Sequence, residues 1–317
     1  MVTVIIPNYN HALYLQQRLE SVLNQTWQDF EIIILDDCST DNSREIIEKY
    51  RGHPKVTSIL YNDINSGNTF TQWVKGIEIS HREFVWIAES DDWCEPSFLE
   101  NILNGMMRDL QCVVGFCQSF CVQDSNVVKW KSSYPYLSNY IEGKEFVKRF
   151  MLQDNTIFNA SMVVWRRASF KYVTNEFTKY KYCGDWLFWI ELCRLGNVYI
   201  SGKFLNYFRM HDMNISAKAN RLGDNFIEEL KMFHLLYKSK WIDYDDLLKS
   251  LQKEYVHYKA VATTFCLNKR KKIETLFFSE HGTRAFLKYY YRAFYFKYAI
   301  NKILSRLLLI DFGIQGG

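Results

Sequence analysis

Residues 84–96 have the sequence FVWIAESDDWCEP, in which an apolar run ends abruptly in three acids within four residues. The apolar run is typical of a buried strand. Pro96 suits the first position of a following helix, where its missing N–H has no cost. The pattern therefore predicts that Glu89, Asp91 and Asp92 lie where a strand ends, at one edge of a sheet.

Three carboxylates this close together need a compensating partner. Clustered carboxylates repel one another and lose hydration on burial unless a cation or hydrogen-bond donors offset both effects. A hard divalent ion, Mg²⁺ or Mn²⁺, is the usual partner, and it also binds substrate phosphates. A solvated turn with a helix-capping acid is the alternative interpretation of the same stretch.

The first half of the chain alternates between apolar runs and segments with helical spacing. Short apolar runs predict strands at Val2–Ile6, Phe30–Leu35 and Val56–Tyr61, and amphipathic segments lie between them. Strands that alternate with helices indicate an α/β fold with a mostly parallel central sheet flanked by helices. Ligands of such sheets bind at the carboxyl ends of the strands.

Polar residues follow each of the four predicted strands. These segments are Pro7-Asn8-Tyr9-Asn10, Asp36-Asp37, Asn65-Ser66-Gly67-Asn68 and Glu89-Ser90-Asp91-Asp92. Because the ends of parallel strands meet at one edge of the sheet, the sequence predicts a single polar cleft there.

The second half is less regular. Strands are predicted at 112–121, 161–165 and 199–208, and a strongly apolar helix begins at Gly184. From about Ser216 the pattern is helical, with many Lys, Tyr and Phe residues. We therefore expect two parts, residues 1–215 and a helical C-terminal extension, residues 216–317.

Composition and missing motifs narrow the class of protein. The chain has 317 residues and a net charge of +4, with eight cysteines in no zinc-binding spacing. It has no GxGxxG, GxxxxGK[ST] or GxSxG motif, which removes the main support for dinucleotide-binding, P-loop and serine-hydrolase proteins. We find no secretory signal before the first strand and no apolar run of membrane-spanning length, so we expect a soluble cytoplasmic protein with reduced thiols.

Several segments, taken in order, resemble the family-2 glycosyltransferases. They are Val4–Asn10 (VIIPNYN), Gln25-Thr26, Phe30–Ser43 (FEIIILDDCSTDNS) and the turn Ser90-Asp91-Asp92. The resemblance is dense over residues 2–103 and continues in patches to Ser216. It implies the GT-A fold, a nucleotide-sugar donor and inversion at the anomeric carbon.

The resemblance also implies roles for individual residues. It places Pro7, Tyr9, Asn10, Asp36, Asp37, Asp91 and Arg209 in the nucleotide site, with Asp37 accepting from the base. It implies that Asp92 is the preferred ligand of Mn²⁺ or Mg²⁺, with Asp91 and His211 as further candidates. Asp185, in Gly184-Asp185-Trp186, matches the catalytic base.

These roles together describe an inverting transfer from a nucleotide-diphosphate donor, expected to be a UDP-sugar, to a hydroxyl of a glycan or lipid-linked acceptor. Cell-surface polysaccharide synthesis is the expected setting. The alternatives are a sugar nucleotidyltransferase, which needs a glycine-rich basic loop after the first strand, and a non-catalytic nucleotide- or glycan-binding module, which could lose Asp185 or Asp92.

The end of the chain is basic. Residues 284–310 contain six Lys or Arg and no acid, and five of the six fall on one side of a helix. Such a helix can lie on an anionic membrane surface, which would make the protein peripheral to the cytoplasmic membrane. Packing on the protein itself or in a homodimer is the alternative, and nucleic acid is not an expected partner because the rest of the chain is acidic.

Overall fold

A computed structural model describes residues 1–123, 127–211 and 222–295. The chain divides into two compact units, residues 1–217 and residues 218–317. The predicted boundary at 215/216 lies outside the described residues, as do residues 296–310 of the basic tail. Within the described ranges, no helix has the length and apolar character needed to span a membrane.

The first half of unit 1 alternates strands and helices. The strands are β1 (Val2–Asn8), β2 (Phe30–Asp36), β3 (Val56–Tyr61) and β4 (Phe84–Ile87), and the helices between them are α1 (Ala12–Leu23), α2 (Ser43–Glu48) and α3 (Thr69–Ile79). Every residue of β1 and β4 is buried, as expected for strands covered on both faces.

The second half of unit 1 completes the sheet. Its strands are β5 (Trp93–Cys94), β6 (Cys112–Gln123), β7 (Val128–Lys131), β8 (Ser138–Glu142), β9 (Val163–Arg166) and β10 (Asn197–Met210). Its helices are α4 (Phe98–Met107), α5 (Gly143–Phe146), continued by a π-helical turn Val147–Met151, and α6 (Gly184–Cys193). Short 3₁₀ turns lie at Ala160–Met162, Arg167–Tyr172 and Asn175–Lys179.

The strands form one ten-stranded sheet with the order β3-β2-β1-β4-β9-β6-β10-β5, in which β7 pairs with β6 and β8 with β10. Strands β1 to β4 are mutually parallel where they pair, and β6 is parallel to β10. Strand β9 runs antiparallel between β4 and β6. The predicted α/β class with a mostly parallel central sheet is confirmed.

Unit 2 is helical in its described part. Its helices are α7 (Asp224–Lys238), α8 (Tyr244–Val261) and α9 (Leu267–Phe277), with a 3₁₀ turn at Ala262–Thr264 and a further helix at residues 283–295. Large buried side chains such as Phe226, Leu230, Tyr258 and Phe277 form its core.

Two boundaries differ from the predictions for a local reason. Pro96 is not the first residue of the helix, because β5 pairs with β10 and the Glu95 N–H donates to the Leu205 carbonyl. Pro96 and Ser97 then form a turn, and α4 begins at Phe98. The strand predicted from Ser161 begins at Val163, because the Asn159 side chain accepts from the Ser161 N–H and starts a 3₁₀ turn.

Candidate active site

The carboxyl ends of β1, β2 and β4 lie side by side at one edge of the sheet. Asn8, the last residue of β1, is opposite Asp36, the last residue of β2, and the Ala88 N–H just after β4 donates to β1. Across the loops, His11 Nδ1 lies 2.8 Å from the Ser90 hydroxyl. The loops that follow the three strands therefore form one polar edge.

The loops after β1 and β2 hold each other in place. Asn10 and Cys38 both have positive φ, 56° and 62°, a conformation that is uncommon for residues other than glycine and often occurs at functional sites. The Asn10 N–H donates to the Ser39 hydroxyl at 2.9 Å, and its side-chain oxygen accepts from the Thr40 N–H at 2.8 Å. Beside this junction, Tyr9 is 45% exposed and presents an aromatic ring at the edge.

Asp36 is fully buried and bonded within the protein. Its carboxylate accepts from Asn8 Nδ2 at 3.0 Å, from the Ser39 N–H at 3.1 Å and from Arg44 Nε at 2.9 Å. These bonds join β1, β2 and α2. Asp36 therefore shapes the site, and Pro7, buried in β1, does the same by packing.

Asp37 organises the loop after β3. Its Oδ1 accepts from the side chains of Asn62 at 2.6 Å and Gln72 at 2.9 Å, and from the Ser66 N–H at 2.9 Å. Its Oδ2 accepts from the Ser66 hydroxyl at 2.7 Å. The role predicted for Asp37 in binding a base stays a prediction.

Asp91 belongs to a cluster with two histidines. His211 Nε2 lies 3.1 Å from Asp91 Oδ2, and one ligand atom each of His11, Asp91 and His211 lie within 4.8 Å of one another. Burial acts to raise the pKa of Asp91, but the hydrogen bond from His211 and the neighbouring His11 outweigh it, and the pKa is lowered. An ionised carboxylate beside two imidazoles is a set of groups that can bind a divalent ion.

Asp92, expected to be the preferred metal ligand, lies outside that cluster. Its Oδ2 accepts from Asn159 Nδ2 at 2.9 Å and the Ser161 hydroxyl at 2.7 Å, and its Oδ1 accepts from the Arg209 N–H at 2.9 Å. Arg18 Nη2 lies 3.8 Å from Oδ2, and both side chains are fully buried. Each oxygen of Asp92 thus accepts a hydrogen bond from the protein, and Asp91 is the aspartate that faces the two histidines. The predicted role of Asp92 as the preferred metal ligand stays a prediction.

The Arg209 side chain packs against two aromatic rings next to the turn at 89–92. Its guanidinium lies over the rings of Tyr14 and Trp93, 4.5 and 4.4 Å from their centroids, and Nε donates to the Asp91 carbonyl. The residue is buried. In this position Arg209 supports the turn that carries Asp91, and its predicted place in the nucleotide site stays a prediction.

The Glu89 side chain points towards Trp73, away from the partners of Asp91 and Asp92. Its carboxylate accepts from the indole N–H of Trp73 at 2.9 Å. Burial and the charge of Asp91 raise the pKa of Glu89 to about 8. Near neutral pH this carboxyl is therefore mostly protonated, which removes one negative charge from the cluster of acids.

Asp185 is the second residue of α6, and this helix packs against α3. Trp189 lies one turn after Asp185, and its ring centroid is 5.9 Å from that of Trp73, the residue that bonds Glu89. Asn68 donates to the carbonyls of Thr178 and Tyr180 just before α6. Both Trp186 and Trp189 are buried core residues, as the spacing on the helix favours.

Three features of this edge were not predicted from the sequence: His11, Arg18, and the pair Asn159 and Ser161. His11 directly follows the polar segment after β1, a position that could have marked it as a ligand. Arg18 lies on the apolar face of α1 with Leu15, Leu19 and Val22, and a buried arginine on such a face signals an anionic partner. Asn159 and Ser161 carry no local signal, because their link to Asp92 spans more than 60 residues of sequence.

The comparisons with known proteins agree with this fold. The family model described as glycosyl transferase family 2 matches residues 3–173, just over half of the chain. The chain belongs to glycosyl transferase family 2. The expectation of a family-2 glycosyltransferase is thereby confirmed at the level of the family.

One relative covers most of this family-2 chain. TuaG of Bacillus subtilis, whose name assigns it to teichuronic acid biosynthesis, is 27% identical over 246 residues, which are 76% of this chain and 92% of TuaG. Three further relatives, 28 to 31% identical, are matched over only about half of their own length.

Solved structures show the same fold. TarS 1-349 of Staphylococcus aureus in complex with UDP-GlcNAc has a TM-score of 0.67 at 19% identity, covering 87% of this chain and 79% of that protein. A mannosyltransferase of Pyrobaculum calidifontis in complex with GDP-Man and Mn²⁺ has a TM-score of 0.50 at 14% identity, covering 95% and 86%. The predicted GT-A fold is confirmed.

Proposed function

We propose that this chain is a metal-dependent inverting glycosyltransferase that moves a sugar from a UDP-sugar to a hydroxyl of a glycan or glycolipid. The observation that carries the proposal is the cluster of His11, Asp91 and His211 at the strand edge where the resemblance to family 2 implies the nucleotide site. The UDP-GlcNAc bound to the neighbouring TarS supports UDP as the nucleotide, and the name of TuaG supports a role in cell-surface polysaccharide synthesis.

The three cluster residues fit Mn²⁺ better than Mg²⁺. Mg²⁺ binds through oxygen and keeps several waters, whereas imidazole nitrogen suits transition metals. The Mn²⁺ in the neighbouring mannosyltransferase agrees with that choice. A bound divalent ion would neutralise the negative charge that develops on a leaving diphosphate.

The remaining site residues have separate tasks in the proposed reaction. Tyr9 packs its exposed ring against the base, and Asp37 accepts a hydrogen bond from the base edge. Asn10 and Asp36 hold the loops that carry these contacts. Asp185 takes the proton from the attacking acceptor hydroxyl, a general-base contribution typically worth ~10²–10⁴ in rate.

Calorimetric titration with UDP and GDP, with and without Mn²⁺, tests the donor site. Wild type is expected to bind UDP only with the metal present. The variant Asp185→Asn should keep that binding and lose transfer from UDP-sugars by ~10²–10⁴. Failure of both nucleotides to bind with Mn²⁺ present would contradict the proposal, and full transfer by Asp185→Asn would remove Asp185 from the base role.

The helix at residues 283–295 supports a place on an anionic membrane surface at the cytoplasmic leaflet. Arg284, Lys288 and Arg292 are exposed, whereas Leu287 is buried within unit 2. Tyr289 is 75% exposed and adds an aromatic ring of the kind found at membrane interfaces. Each basic residue near an anionic surface contributes about 1 kcal/mol.

Flotation with vesicles of phosphatidylglycerol tests this docking. Reversing the three charges to Glu should abolish flotation, whereas reversing the exposed Lys144, Lys171 and Lys203 should leave it unchanged. Equal flotation of both variants would contradict the proposal. Self-association stays a prediction, which sedimentation of the same samples would check.

A further inference from the structure

Unit 1 contains a cavity of about 470 Å³ on the β6 and β10 half of the sheet. It is lined by Phe116 of β6 and Ile200 of β10, by Trp130 of β7 with residues 132–134 after it, and by residues of the segment 150–158. Ligand pockets of proteins typically occupy ~300–1,000 Å³. The cavity is therefore large enough for one or two sugar rings.

The lining combines aromatic faces with uncharged polar groups and one acid, Asp154. Trp130 and Phe158 stand next to each other with ring centroids 4.8 Å apart, and Trp130 is 43% exposed. Polar side chains that line the same space include Gln118, Ser133 and Asn155, and no Lys or Arg is among the lining residues. A pyranose offers an apolar C–H face to aromatic rings and hydroxyls to polar groups, whereas a phosphate would require cationic side chains.

One polar atom of the lining lacks a partner. Asn155 Oδ1 is buried and accepts no hydrogen bond within the described structure. A buried acceptor that stays unpaired is unfavourable, and a ligand hydroxyl would supply the missing donor. Because Asn155 lines the cavity, a sugar hydroxyl that reaches Oδ1 would satisfy this acceptor.

Two links connect the cavity with the turn at residues 89–92. Phe158 in the cavity wall directly precedes Asn159, whose side chain donates to Asp92. A hydrogen-bond chain gives the second link: Ser132 of the lining accepts from the Ser119 N–H, and Asn206 Nδ2 donates both to the Ser119 hydroxyl and to Asn159 Oδ1. A ligand in the cavity therefore lies next to the elements that position the acid turn.

We propose that this cavity binds a neutral pyranose unit of the acceptor glycan and helps to select it. The inference rests on the proposed function for the identity of the ligand as acceptor. Trp130 and Phe158 contact the apolar face of the sugar, and Asn155 accepts from one of its hydroxyls. In this arrangement the cavity is a site of acceptor specificity next to the turn at residues 89–92, with no part in binding the nucleotide.

Saturation-transfer NMR with a panel of simple saccharides tests the proposal without any donor present. The probes are the methyl β-glycosides of glucose, galactose and N-acetylglucosamine, together with cellobiose. Wild type should bind at least one of them, and Trp130→Ala should weaken that binding by about tenfold or more, equivalent to about 1.4 kcal/mol. Tyr172→Ala is the control, because it removes an aromatic ring that is 63% exposed and outside the cavity.

A second variant separates binding from folding. Asn155→Leu keeps the side-chain volume and removes the unpaired oxygen, so it should weaken saccharide binding without lowering the melting temperature. Absence of saturation transfer from wild type to any of the probes, or equal binding by Trp130→Ala, would overturn the proposal. UDP titration of the same samples distinguishes the two ideas: UDP binding without saccharide binding removes the cavity inference alone, and saccharide binding without UDP binding removes the proposed donor site.

Discussion

Mn²⁺ should raise the melting temperature of this protein through Asp91, His211 and His11. The geometry needs little change to accept an ion. With metal–ligand bonds of about 2.1 Å, ligands at right angles are about 3.0 Å apart and opposite ligands about 4.2 Å apart. Asp91 Oδ2 and His211 Nε2 are already 3.1 Å apart. The largest distance between ligand atoms of the cluster is at most 4.8 Å, so it has to shorten by about 0.6 Å at most to reach the separation of opposite ligands.

The size of the stabilisation follows from mass action. An ion present at about 100 times its dissociation constant stabilises the folded state by ~2.7 kcal/mol. For a unit of about this size, each kcal/mol raises the melting temperature by ~2–4 °C. The expected rise for wild type is therefore about 5–11 °C, reversed by a chelator.

Thermal melts followed by circular dichroism provide the assay. Asp91→Asn and His211→Ala should lose the Mn²⁺-dependent rise, whereas Asp92→Asn should keep it whatever its own stability. His81→Ala, which removes an exposed histidine outside the cluster, is the matched control. A rise that survives His211→Ala and disappears in Asp92→Asn would refute the placement of the ion and restore the ligand predicted from sequence.

Three further predictions concern stability and reactivity. Burial and the neighbouring Glu254 raise the pKa of Glu229 well above its usual value, so the folded state binds more protons than the unfolded state and loses stability as the pH rises above about 4.5. The variant Glu229→Gln should therefore have a higher melting temperature than wild type at pH 7 and the same melting temperature at pH 4. A lower melting temperature of the variant at pH 7 would contradict this. In Gly184→Ala the new Cβ would lie 2.4 Å from the backbone oxygen of Phe177, so urea unfolding should show a loss of about 1–3 kcal/mol, larger than in Gly115→Ala, where the nearest atoms belong to the flexible side chains of Met106 and Ile102. Six of the eight cysteines are buried, and Cys38 and Cys266 are the two that are not, so a thiol reagent should react with at most two thiols before the protein unfolds. Rapid reaction of more than two thiols would contradict the burial of the other six.

The strand pattern of the first half could be predicted because it depends on local sequence. The predicted strands at residues 2–6, 30–35 and 56–61 agree with β1, β2 and β3 within two residues at each end. The runs of β1 and β2 are apolar, as burial on both faces of a parallel sheet requires, whereas β3 lies at the end of the strand order and is only partly buried. Strand ends then determine which polar residues gather at the edge, so the general position of the site followed as well.

Which aspartate of the turn at 89–92 faces the histidines could not be predicted, because it depends on where each side chain of the turn points. The Asp92 N–H donates to the Glu89 carbonyl, and this tight turn sends adjacent acids in different directions. Asp92 points towards Asn159 and Ser161 and Asp91 towards His211. Those partners lie 67 to 120 residues away in sequence, and nothing near the motif distinguishes the two aspartates.

The repulsion among the three acids, from which a metal was first inferred, has a different resolution in the folded chain. Burial and the charge of Asp91 raise the pKa of Glu89 to about 8 and that of Asp92 to about 6, while the pKa of Asp91 is lowered. Near pH 7, Glu89 is therefore mostly neutral, and Asp92 faces the buried guanidinium of Arg18. Only Asp91 combines a full charge with two neighbouring imidazoles and no salt bridge to Lys or Arg in the described chain. The ion proposed at this edge would therefore have to balance one carboxylate rather than three, and two histidines could complete its ligand set.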